Sequence, residues 1–122
     1  MTLLESLWAR VSVERLRELT LALVRIPSPT GEGRQVTAYY AECVRTLGLP
    51  IEVVTTYPDS PSTVARYVRY PGGRTLTLDG HLDTIHATHV PPYVEGRRLY
   101  GRGAGDMKSG VAAMLEAARV LI

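Results

Sequence analysis

"LYGRGAGDMKSGVAAM", Leu99 to Met114, sets four glycines around a single aspartate and then runs into an apolar stretch. A turn this rich in glycine bends tightly and lets its backbone come close to a neighbour. A dinucleotide-binding turn would follow G-x-G-x-x-G, but after Gly101 and Gly103 the third glycine position is Asp106, whose charge would repel a pyrophosphate at a helix N-terminus. A P-loop needs a glycine directly before its lysine and another five residues ahead of that one, where this chain has Met107 and Arg102. The stretch therefore reads as strand, turn and helix, with a carboxylate presented at the turn. The strand is Arg98–Tyr100, and the helix runs from about Lys108 to the end with Val111, Met114, Leu115, Ala118 and Leu121 as its apolar stripe.

Upstream, "LTLDGHLDTIH", Leu76 to His86, reads as the end of a strand that alternates around Leu76 and Leu78 and delivers His81 and then Asp83. In α/β sheets, ligands gather at the carboxyl ends of strands. A ligating imidazole needs its second ring nitrogen held, usually by a nearby carboxylate. His81 and Asp106 are therefore the candidate metal ligands and Asp83 the residue that orients His81. One imidazole nitrogen and one carboxylate suit zinc, cobalt or manganese. His86 and His89 sit in the proline-bearing loop "HATHVPPYVEG" and read as ordinary loop residues. Cys43 reads as packing, and Ser28 and Ser109 lack the setting of a nucleophile elbow. Lys108 and Arg102 read as solvated cations beside a turn, with steering of an acidic substrate as the lesser alternative. Asp79 carries no assignment.

The rest of the chain supplies a scaffold. Leu16, Leu19, Leu23 and Val24 recur at helical spacing behind a Ser12 cap, and "IPSPTGEG" from Ile26 reads as a loop. Val36, Tyr40, Cys43, Val44 and Leu47 predict a second helix from Gln35, stopped by Gly48 and Pro50. "IEVVTTY" from Ile51, "STVARYVRY" from Ser62 and "RTLTLDG" from Arg74 read as strands, the last two joined by a hairpin turn at Pro71, Gly72 and Gly73. The expected class is α/β, an incomplete mixed sheet flanked by helices, with all 122 residues in one core. Fourteen Lys plus Arg against twelve Asp plus Glu leave a net charge of +2 with no basic block, which excludes the electrostatic footprint of a nucleic-acid binder. The single cysteine cannot form an intramolecular disulfide, so a reducing, cytoplasmic setting is expected. Charges at Glu5, Arg10, Glu14, Arg15 and Arg17 break the opening stretch, which reads as neither signal peptide nor membrane span.

"GHLDTI" followed by "LYGRGAGDMKSGVAAMLEAARVL" closely resembles the two N-terminal signatures of the dinuclear zinc peptidase and deacylase family M20. That family includes acetylornithine deacetylase, succinyl-diaminopimelate desuccinylase, aminoacylase and the glutamate-releasing carboxypeptidases. "LVRIPSPTGEG", the helix ending "LG" and the strand-turn-strand before His81 extend the resemblance over nearly the whole chain. The resemblance implies the N-terminal part of a zinc-peptidase-like catalytic domain over residues 1–122, with the lid and dimerisation domain absent. It implies two divalent metal ions, zinc first, with His81 on one of them, Asp83 orienting that imidazole and Asp106 bridging both. In the family, a metal-held water attacks an amide carbonyl and a glutamate of a Glu-Glu pair takes its proton. That pair and the remaining ligands fall outside these residues, and Glu116 is not assigned the role. The implied substrates are N-acyl amino acids or small peptides, and the implied parent is a homodimer through its lid domain. With two candidate ligands, the piece alone is expected to bind zinc weakly and to hydrolyse nothing. The competing reading is a non-catalytic binding or assembly domain that keeps the fold.

Overall fold

Thr2 and Glu5 start the first helix, α1 (Leu3–Trp8), with a reciprocal cap: the Thr2 hydroxyl accepts from the Glu5 amide and the Glu5 carboxylate accepts from the Thr2 amide. The computed structural model describes all 122 residues. Ser12 caps α2 (Val13–Arg25), and α3 (Arg34–Arg45) follows the proline-glycine loop. It is stopped where the sequence predicts, with Gly48 at φ +75°. The last helix, α4 (Ser109–Leu121), follows an irregular wide turn at Ala104–Lys108. The apolar stripes of α2, α3 and α4 meet in a core of Leu23, Val36 and Val111, with Leu19, Ile26, Tyr40, Leu82, Met107 and Met114 packed around it. Each of the fully buried aliphatic side chains contributes about 1.5–3 kcal/mol.

The chain is α/β as expected, its small sheets flanked by helices, with strand pairing confined to short stretches. The strands form two separate antiparallel ribbons. β1 (Ile51–Val54) pairs β2 (Ser62–Ala65) with Ile51 opposite Ala65, and β3 (Tyr93–Glu95) pairs β4 (Arg98–Tyr100) with Tyr93 opposite Tyr100. The second strand ends at Ala65, well short of Tyr70, and the predicted strand at 74–80 does not form, so the turn at Pro71–Gly72 joins no hairpin. Residues 66–80 make no hydrogen bond to any other segment, and Leu76 is 75% exposed. Alternation marks which face a strand would bury, but a strand holds only when another strand pairs its edges, and none lies beside this one.

The stretch after it is tied down. The Thr84 amide donates to the Ser28 carbonyl (2.9 Å) and the Thr30 amide to the Thr84 carbonyl (3.0 Å), a single parallel bridge between the proline-glycine loop and residues 82–84. The Ser28 hydroxyl adds a bond to the Leu82 carbonyl at 2.7 Å. This lacing positions His81 and Asp83. No helix is long and apolar enough to cross a membrane.

Candidate metal centre

Two segments converge on one point. Residues 81–83 enter from the laced stretch, and Asp106 enters from the turn before α4. Gly103 lets them meet: it sits at φ +80°, and a Cβ there would lie 2.5 Å from the Thr84 side chain. Only glycine fits both the backbone conformation and the close approach. The turn is closed by the Lys108 amide donating to the Gly103 carbonyl at 2.9 Å.

His81 Nε2 lies 3.0 Å from Asp106 Oδ1, and His81 Nδ1 lies 3.0 Å from Asp83 Oδ1. Nδ1 is also 3.1 Å from the Asp83 backbone carbonyl. The side chains stand open to solvent in graded fashion, with His81 47%, Asp83 41% and Asp106 89% exposed. Burial alone would lower the proton affinity of His81, but the Asp83 carbonyl and the carboxylates of Asp106 and Asp83 outweigh it and raise the imidazole above its ordinary value. Ionised carboxylates accept and cannot donate, so both ring nitrogens must carry something positive toward their partners. On the Asp83 side that is a ring proton. Between Nε2 and Asp106 it is either a second proton or a cation, and an imidazole nitrogen facing a carboxylate oxygen is a donor pair that divalent metals take. The residues present therefore fit a metal as part of its ligand set. No group of three or more His, Cys, Asp or Glu side chains is arranged to hold one ion, so further ligands would be needed to complete a zinc sphere.

The other sequence candidates separate from this point. His86 donates through Nε2 to the Thr30 carbonyl at 2.8 Å and serves the loop. Cys43 is a half-buried free thiol in α3, pushed up by burial. Lys108 departs from the sequence reading: it is 1% exposed, not solvated, and Nζ donates to the carbonyls of Leu23 and Ile26, each at 2.9 Å. Burial pushes its ammonium down to about 8. It cannot steer a substrate from there, because the carbonyls at the end of α2 draw the side chain inward. Glu116 is likewise structural, accepting from Arg15 and from the Ser12 amide. A surface groove runs between α3 and the β1–β2 ribbon, past Arg34, Thr37, Glu42 and Arg45, and contains none of the site residues.

One contact at the site was not read from the sequence. The Thr30 hydroxyl donates to Asp83 Oδ2 at 2.5 Å, across 53 residues. Its only sequence signal is the polar loop "IPSPTGEG", which does not say where the loop docks.

Comparisons with known proteins bear on the family of the chain. Residues 77–122, which include His81, Asp83 and Asp106, match the profile of Peptidase family M20/M25/M40. A succinyl-diaminopimelate desuccinylase of Corynebacterium glutamicum is 39% identical over 98 residues, covering 80% of this chain and 26% of that protein. An N-formyl-4-amino-5-aminomethyl-2-methylpyrimidine deformylase of Halalkalibacterium halodurans is 32% identical and covers 99% of this chain and 32% of its own length. The crystal structure of a tripeptidase from Staphylococcus aureus superposes with a TM-score of 0.76 at 27% identity, over 92% of this chain and 33% of that one. The chain spans about a quarter of the length of the first of these curated relatives, whose covered share is 26%.

Proposed function

The chain belongs to peptidase family M20/M25/M40, and from that membership we propose that it supplies part of the dinuclear metal centre of an enzyme hydrolysing an amide bond in N-acyl amino acids or small peptides. The observation that carries this reading is the 3.0 Å approach of His81 Nε2 to Asp106 Oδ1, with Asp83 on the far ring nitrogen. His81 is assigned as a ligand through Nε2 and Asp106 as the carboxylate able to reach two ions, with Asp83 fixing the imidazole. A divalent ion held there, zinc first and cobalt or manganese also suited, supplies a Lewis acid for the carbonyl and a water of lowered pKa.

Residues 1–122 are read as the N-terminal portion of a catalytic domain whose lid and dimer-forming part lie elsewhere in the parent, a cytoplasmic homodimer. Two candidate ligands fall short of the at least three protein ligands zinc takes, so the chain by itself binds the ion weakly and turns over no substrate. The relatives whose names specify removal of succinyl and formyl groups, and the tripeptidase, support an amide substrate without choosing among acyl groups.

Titration with zinc or cobalt tests the site. Wild type should bind, and His81→Ala and Asp106→Ala should each weaken binding by about tenfold or more. Superimposable curves for the three proteins would remove the shared site. Turnover of an N-acyl amino acid by this purified chain, persisting after contaminating hydrolases are removed, would overturn its incompleteness.

A further inference from the structure

The carboxylate that orients His81 is itself held. Asp83 Oδ1 faces His81 Nδ1, and Asp83 Oδ2 accepts the Thr30 hydroxyl at 2.5 Å. The same hydroxyl is 3.3 Å from the Thr84 carbonyl, so its proton is committed to the shorter, charge-assisted partner. Thr30 is fixed from both sides of its peptide: its amide donates to the Thr84 carbonyl at 3.0 Å, and His86 Nε2 donates to its own carbonyl at 2.8 Å. The Ser28 bonds to residues 82 and 84 anchor the loop one step earlier. A carboxylate on an exposed stretch otherwise rotates about its side-chain torsions, and here one oxygen is pinned so that the other stays on the imidazole.

We propose that Thr30 is a positioning residue of the candidate metal centre, its hydroxyl holding Asp83 in the orientation in which Asp83 holds His81. The consequence for metal affinity rests on the reading of His81 and Asp106 as ligands, whereas the orientation of His81 does not. Partners behind a ligand typically change metal affinity by about 10- to 100-fold, and Thr30 lies one bond further out. Its expected effect is smaller, about threefold to tenfold.

Thr30→Val keeps the branched shape and removes the hydroxyl, and Thr30→Ser keeps the hydroxyl. Thr30 is exposed, so neither change opens a cavity. Two measurements are made on the whole chain: cobalt(II) affinity by titration, and the nitrogen-15 shifts of the His81 ring in the metal-free protein, which report how its protons are shared. Thr30→Val is expected to weaken cobalt binding and displace the ring shifts, and Thr30→Ser to restore both. Wild-type values for Thr30→Val, or equal losses in Val and Ser variants, would overturn the proposal. If His81→Ala binds cobalt as wild type does while the His81 shifts still follow the Thr30 hydroxyl, the metal reading fails and the positioning role stands.

Discussion

The Lys108 ammonium holds two carbonyls at the end of α2 and so ties the turn that presents Asp106 to the core. The two bonds are not equivalent. Leu23's carbonyl also accepts the Ile26 amide at 3.2 Å, whereas Ile26's carbonyl depends on the lysine. In Lys108→Met the aliphatic stem is kept and the part-buried Ile26 carbonyl loses its donor, which costs about 1 kcal/mol. Urea unfolding should show that loss, and an unchanged midpoint would mean that water replaces the ammonium freely. Sequence reading cannot see this burial, because a lysine beside a glycine turn is usually solvated and only the carbonyls at a helix end 82 to 85 residues away draw it inward. That His81, Asp83 and Asp106 meet was legible for the opposite reason: their residue types and their places at an expected strand end and a glycine turn mark them as candidates for one point. Thr30 was not, since a hydroxyl in a polar loop has no chemistry until it has a partner.

At the level of elements, α2 and α4 are joined at their polar edges as well as through the core. Glu116 in α4 is nearly buried and accepts from Arg15 at 2.6 and 3.0 Å and from the Ser12 amide at 2.8 Å. The Arg15 bond, ahead of the Ser12 amide, lowers the Glu116 carboxyl below its ordinary value despite burial. A carboxyl lowered on folding adds stability above its unfolded value and loses it as pH falls through the folded one. Glu116→Gln should therefore be less stable than wild type near neutral pH, by about 1 kcal/mol given that Arg15 is half exposed. The gap should close as the pH drops below the ordinary carboxylate range of about 4. A gap constant with pH would assign the cost to packing. Gly103→Ala probes the turn instead: strain at φ +80° together with the 2.5 Å approach to Thr84 should cost about 1–3 kcal/mol. It should also move Asp106 from His81, seen as weaker cobalt binding. The three long helices were readable because an apolar stripe at helical spacing carries its own hydrogen bonds, and burial only selects the face. The six-residue α1 was missed because Leu3, Leu4 and Trp8 are exposed and make no stripe facing the core.

Across the whole molecule, order is distributed unevenly around that helical core. Leu23, Val36 and Val111 are almost completely buried between helices, while residues 66–80 carry Val68, Tyr70, Leu76 and Leu78 exposed and bonded to no other segment. Their alternation has the period of a strand, so the sequence specifies a strand here and the chain lacks the neighbour that would pair it. Backbone amides open with free energies from near zero in unpaired segments up to the global stability in the core. Hydrogen exchange followed by mass spectrometry should therefore show 66–80 exchanging at close to unprotected rates, with α2 and α4 protected most. An unpaired apolar strand is also a template for a second chain. If copies pair there, protection of 66–80 should rise with protein concentration while that of α2 stays constant. Protection of 66–80 equal to that of α4 at high dilution would mean that the segment has found a partner within its own chain, and the ribbons of this fold would have to be redrawn as one sheet.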